Sequence, residues 1–134
     1  MTESSTSDID WDDLTAQARD AMGRAYVPYS KYPVGAAALL DDGRIISGCN
    51  VENASYGLTL CAECALVSAL AMSGGGRIRA FSCVAGEGNT LMPCGHCRQL
   101  LYEFRASDMV LMTVNGIRTM DEVLPDAFGP QNLA

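Results

Sequence analysis

The sequence predicts an α/β domain, a sheet with helices on its faces, and three observations predict it. Helix-like and strand-like apolar segments alternate as helix, hairpin, helix, strand, helix, strand, each closed by a turn or capping signal. The 134 residues suit one core, and no linker is long enough to split them. The composition, 49% hydrophobic against 19% charged, is that of a globular chain. Residues 1–134 are therefore read as a single domain, with residues 1–9 a polar, acidic, flexible leader.

The elements follow in order. Asp10 is placed to cap a helix in which Trp11, Leu14, Ala18, Ala21, Met22 and Ala25 recur on one face, and Pro28 ends it. Val34–Leu40, the turn Asp41-Asp42-Gly43 and Arg44–Ser47 read as a hairpin. A polar loop with Asn50, Glu52 and Asn53 leads to Cys61–Met72, an apolar helix stopped by Gly74-Gly75-Gly76. Ile78–Ala85 is a third strand and Gly86–Pro93 a loop. Cys94–Phe104 is a second apolar helix, started near Pro93. Met109–Val114 is a fourth strand, and Thr119 with Glu122 forms a capping box for a short last helix. Residues 124–130 are too broken by proline and glycine for regular structure.

Charge and cysteine content exclude several functions. The net charge is −7, and the single lysine and eight arginines form no basic run, so no nucleic-acid polymer is expected as a partner. No apolar stretch approaches the ~20 residues of a membrane span, and the first residues lack the pattern of a signal peptide. A cytoplasmic protein with reduced thiols is expected. One histidine, His96, stands against six cysteines, so a metal site within this chain must be rich in sulfur.

Two Cys-x-x-Cys pairs carry the chemistry: Cys61-Ala62-Glu63-Cys64 and Cys94-Gly95-His96-Cys97. Three readings compete. A structural zinc knot would use all four thiolates, a thiol-redox pair would use Cys94 and Cys97, and a catalytic zinc would take three thiolates and leave a fourth position for water. Knots sit on polar, glycine-rich turns, whereas both pairs here open apolar helices. Redox pairs directly follow a strand, whereas Leu91-Met92-Pro93 precedes Cys94 after a glycine-containing loop. Glu63 favours the catalytic reading, because a carboxylate in the first turn of a helix can reach a metal-activated water without being a ligand. Helix N-termini favour nearby negative charge by roughly 0.3–1 kcal/mol at exposed sites, and two of them would converge on the thiolates.

These motifs resemble the cytidine deaminases. Cys61-Ala62-Glu63 followed by Pro93-Cys94-Gly95-His96-Cys97-Arg98-Gln99 is similar to the zinc signature of that family. The likeness extends to Pro28–Ala37, to Gly48-Cys49-Asn50-Val51-Glu52-Asn53-Ala54 and to Leu124–Gly129, four segments in the family's order. It implies a three-layer α/β/α fold around a central mixed sheet and a homotetramer with sites shared between subunits. It also implies one Zn2+ per subunit on Cys61, Cys94 and Cys97.

The same resemblance assigns further roles. Glu63 would shuttle protons and the Ala62 backbone N–H would steady the attacking oxygen. Asn50, Glu52 and Ala54 would line the sugar site. Tyr32 stands where the family has a phenylalanine against the base or sugar, and Phe128 would close a neighbouring subunit's site. The implied reaction is hydrolysis of cytidine and 2′-deoxycytidine to uridine and 2′-deoxyuridine with release of ammonia, in pyrimidine salvage. A carboxylate at Glu52 suits a free nucleoside and opposes a 5′-phosphate. A blasticidin-S-type deaminase on the same fold is the near alternative, and a non-hydrolytic structural-zinc or redox protein the distant one.

The remaining reactive residues have plainer expectations. Cys64 stands where the family often has arginine and is expected to be a small buried thiol, with Arg98 offsetting the thiolate charge. His96 is expected to point away from the metal. Cys49, Cys83 and Met92 are expected to be packing residues, and Arg77, Arg79 and Arg118 to face solvent.

Overall fold

The computed structural model describes residues 8–133. Helix α1 (Trp11–Met22) begins at Asp10, whose carboxylate accepts from the Asp13 N–H at 3.0 Å, a cap worth about 1 kcal/mol. Strands β1 (Val34–Leu40) and β2 (Ile45–Cys49) form the expected hairpin, with Gly43 taking the positive φ of the turn. Helix α2 (Ala62–Met72), β3 (Ile78–Ala85) and α3 (Gly95–Glu103) follow. The chain then forms β5 (Arg105–Thr113), β6 (Gly116–Thr119) and the short α4 (Met120–Val123), which Thr119 and Glu122 open with the expected capping box. Strand β4 (Asn89–Thr90) lies between β3 and α3.

The sheet runs β2-β1-β3-β5-β6, with β4 paired to β3. All pairings are antiparallel except β3 with β5, so the sheet is mixed. The single parallel pair is joined through α3, as a parallel connection requires a crossover. Alternation along β1 separates the faces. Ala37, with Ala80, Val84 and Val110, packs against Leu14 and Ala18 of α1. Ala36, Ala38 and Leu40, with Phe81, Cys83 and Leu111, pack against Leu66 and Leu70 of α2 and Leu101 of α3. The three-layer α/β/α arrangement thus follows from two apolar sets on opposite faces of one sheet.

Small residues set the layer spacing. A Cβ on Gly35 would lie 2.0 Å from the Ala18 carbonyl oxygen of α1, and one on Gly48 would lie 2.6 Å from the Ala62 carbonyl oxygen of α2. The Gly48 approach brings the start of α2, and with it the Cys61 pair, down onto β2.

Several boundaries differ from expectation. Residues 1–7 of the expected leader lie outside the described residues, but Ile9 is buried beside Leu14 and Ala18, so its end belongs to the core. Strand β2 runs two residues beyond Ser47, to Cys49. Strand β5 starts at Arg105, four residues before Met109, and β6 pairs along it. The residues Gly116-Ile117-Arg118-Thr119 are exposed and lack the apolar alternation that announces a strand. Arg79 does not face open solvent: its guanidinium lies 2.6 Å from the Asp8 carboxylate and 3.9 Å from that of Asp108.

Candidate functional site

The two helix starts converge. Cys61 is the N-cap residue of α2 and Cys94 that of α3, both in extended backbone conformation. Cys97 stands one turn into α3 and is buried. The Sγ atoms of Cys61, Cys94 and Cys97 all lie within 4.8 Å of one another. Tetrahedral zinc–thiolate bonds of about 2.3 Å place sulfurs about 3.8 Å apart, so these three fit a zinc ion with little closure. Burial pushes the Cys61 and Cys97 thiols upward, with the nearby Glu63 carboxylate acting in the same direction. A cation is therefore the natural partner that would hold them as thiolates.

Cys64 falls outside that set. It forms a second one with His96 and Cys97, again within 4.8 Å of one another. A four-thiolate knot closed by Cys64 is thereby disfavoured. Arg98, expected to offset the thiolate charge, is held by backbone carbonyls. Its Nε donates to the Pro93 carbonyl at 2.8 Å and its Nη1 to the Val123 carbonyl at 3.1 Å, tying the start of α3 to the C-terminal segment.

A cleft of about 310 Å³ opens over the three thiols, near the lower end of small-molecule sites, about 300–1,000 Å³. Glu63 and Ala62 form its floor with the cysteines, both nearly inaccessible to solvent. Ala62 is the first residue of α2, where a backbone N–H has no partner within the helix. Val34, Asn50, Thr59, Leu91, Met92 and Pro93 complete its lining. Met92, expected to be a packing residue only, is thus part of the site.

Glu63 has a partner that sequence reasoning missed. The Cys83 thiol, fully buried on β3, donates to Glu63 Oε2 at 3.7 Å. Burial, with the Glu63 carboxylate adding to it, holds that thiol well above its ordinary value, so it remains a donor. The signal was faint: Cys83 differs from its apolar neighbours only in carrying a proton it can share.

The proposed sugar residues are arranged less simply. Asn50 Oδ1 accepts from the Val34 N–H at 2.9 Å and its Nδ2 donates to the Tyr32 carbonyl at 3.1 Å, holding residues 32–34 at the cleft edge. Glu52 lines an adjoining hollow with Tyr29, Ser30 and Tyr56, and Thr59 borders both spaces. Glu52 accepts from the backbone N–H groups of Tyr29 and Ser30 and from the Ser30 hydroxyl. The Ser30 hydroxyl, above all, keeps its carboxyl below the usual range. Tyr32, Ala54 and Phe128 are exposed and line neither space within one chain. Gln99 on α3 donates to the Phe128 carbonyl at 2.7 Å and fixes the segment that carries this ring.

Comparisons with known proteins agree with this geometry. Residues 10–113 match the cytidine and deoxycytidylate deaminase zinc-binding region. A cytidine deaminase of Mycobacterium tuberculosis is 56% identical over 126 residues, covering 94% of this chain and 95% of that protein. One from Halalkalibacterium halodurans is 40% identical, covering 90% of this chain and 95% of its own. The crystal structure of the M. tuberculosis enzyme superposes with a TM-score of 0.87, covering 91% of this chain and 99% of that one. A cytidine deaminase structure from Bacillus anthracis, 17% identical, shares the fold at a TM-score of 0.70. The helix-borne thiols, the carboxylate beside them and the extent of these matches lead to one assignment: the chain belongs to the cytidine deaminase family of zinc-binding hydrolases.

Proposed function

We propose that this enzyme hydrolyses free cytidine and 2′-deoxycytidine to the corresponding uridines, with one zinc per subunit on Cys61, Cys94 and Cys97. The observation that carries this is the buried Glu63 carboxylate, set beside three convergent thiols at the floor of a small cleft. When bound, the zinc ion supplies Lewis acidity that makes a water nucleophilic near neutral pH. Glu63 takes a proton from that water and passes it to N3 of the base as oxygen bonds to C4. It then carries the second proton to the amino group, which leaves C4 as ammonia. The Ala62 N–H donates toward the attacking oxygen, and the start of α2 adds its positive end. Cys83 keeps the Glu63 carboxylate facing the cleft.

No lysine or arginine is among the residues lining the cleft or its adjoining hollow, and Glu52 is anionic there. A 5′-phosphate would meet repulsion and no cation, which favours a nucleoside in a salvage reaction. Asn50, held by backbone on both sides, lines the cleft, and Glu52 lies two residues further along. They are the proposed sugar ligands, and Ala54 and Tyr32 are proposed to join them.

The proposed homotetramer has support in the exposed apolar surface. Tyr26, Val51 and Leu60 are linked by short β-bridges, and the rings of Tyr29 and Tyr56 meet at 5.9 Å. All five are substantially exposed in the single chain, apolar surface of the kind a partner covers. Phe128, 59% exposed, is proposed to reach a neighbour's site. No described helix is long and apolar enough to cross a membrane, and the described cysteines are free thiols, which suits the cytoplasm.

The central test is zinc content together with cytidine turnover, followed by ultraviolet absorbance, with 2′-deoxycytidine, a cytidine 5′-phosphate and blasticidin S in parallel. Turnover of the two nucleosides at one zinc per chain is expected. Preference for the phosphate would overturn the nucleoside reading, and preference for the antibiotic the salvage role. Mass under native conditions is expected near four chains, and a fully active monomer would refute the role of Phe128. Cys83→Ala is expected to lower kcat about five-fold with KM little changed and zinc retained, as for loss of one modest hydrogen bond of about 1 kcal/mol. Cys83→Ser should restore much of that loss, and equal activity in Cys83→Ala would remove Cys83 from the site.

A further inference from the structure

Beside the three proposed zinc ligands lies a second cluster. Each Cys-x-x-Cys pair starts at a helix cap and places its second cysteine one turn along the helix, so Cys64 on α2 and Cys97 on α3 face each other beyond the caps. His96 joins them. Its Nδ1 is 3.9 Å from Cys97 Sγ, and Cys64, His96 and Cys97 offer ligand atoms all within 4.8 Å of one another. A tetrahedral zinc with one thiolate and one imidazole separates those donor atoms by about 3.6 Å, so the His96–Cys97 spacing is a few tenths of an ångström from ligation, and Cys64 lies within about an ångström of it.

We propose that Cys64, His96 and Cys97 form a second site for a thiophilic cation such as Zn2+ or Cd2+, with the Cys97 sulfur shared between the two metals. The proposal rests on Cys97 being a ligand of the first zinc. Three observations carry it beyond the spacing. Three thiolates around one dication leave a net charge of −1, and Arg98, next to Cys97 in the chain, donates to the Pro93 and Val123 carbonyls. The donor set, two sulfurs and an imidazole, is one that soft and borderline cations favour over calcium or magnesium. Access is open: His96 is exposed and Cys64 half-buried, while Cys97 is buried between the two sites. A thiolate sulfur has lone pairs for two metals, so no ligand need leave the first zinc. Binding at the second site deprotonates Cys64 and releases that proton to solvent.

The test uses the zinc-loaded protein dialysed against increasing Zn2+, with bound metal counted per chain, and then the Cys64→Ser and His96→Gln variants. The wild type is expected to rise from one equivalent to two, and each variant to bind the second at least ten-fold more weakly while keeping the first. Replacement with cadmium should give two distinct 113Cd resonances in the wild type and one in Cys64→Ser. A stoichiometry that stays at one throughout would overturn the second site alone. A second equivalent unaffected by both substitutions would overturn its placement. A protein that binds no zinc would overturn the catalytic assignment as well.

Discussion

Glu63→Ala is expected to lower cytidine turnover by about 10²–10⁴-fold, the range for removing a general acid–base group, while zinc remains bound. The size of the effect follows from the cleft. Glu63 is the sole carboxylate among the residues lining it, and no other side chain there can replace it as a proton carrier. Glu52, the nearest alternative on the sugar side, lies in the adjoining hollow and accepts from Tyr29 and Ser30. Glu63→Gln separates charge from shape, since it preserves the packing around α2 while losing the basic oxygen. Turnover by ultraviolet absorbance and zinc by elemental analysis check both variants. An unchanged rate with zinc in place would remove Glu63 from the reaction.

The largest expected effect on stability is at Gly35. A Cβ there would lie 2.0 Å from the Ala18 carbonyl oxygen, 2.4 Å from the Met22 nitrogen and 2.8 Å from the Met22 Cα. All three are backbone atoms of α1, so no side chain can rotate aside and the helix itself must move off the sheet. Overpacking in cores costs about 1–3 kcal/mol, and a clash with backbone belongs at the upper end. Gly35→Ala should therefore lose about 3 kcal/mol of stability in urea unfolding. Gly57→Ala, where a Cβ meets nothing within 4 Å, should stay within about 0.5 kcal/mol of the wild type. Equal midpoints for the two variants would show that α1 is not seated on β1 as described.

Much of the site was readable in the residues themselves because its chemistry is local. Cys61 and Glu63 are two residues apart, and Cys94 and Cys97 three, so each fragment is held in one helical turn whatever the rest of the chain does. The hairpin turn at Gly43 and the capping box of Thr119 and Glu122 are likewise set by a few neighbouring side chains and their backbone. Strand β6 was not readable, since Gly116–Thr119 is exposed and takes its conformation from its partner β5 rather than from an apolar pattern. Met92 looked like an ordinary apolar residue, and only the fold places it in the cleft lining.

The sequence alone pointed to the candidate ligands, the candidate proton carrier and most of the order of elements, because each depends on residues close together in the chain. Tertiary structure decided what meets across long separations. It set Cys83 of β3 against Glu63 of α2, bound Arg98 to the Pro93 and Val123 carbonyls, and set Cys64 with His96 and Cys97 rather than in the first metal set. The physical reason is that a side chain's partner is fixed by how closely the layers pack. Here that spacing is governed by Gly35 and Gly48, where helix backbone rests directly on the sheet.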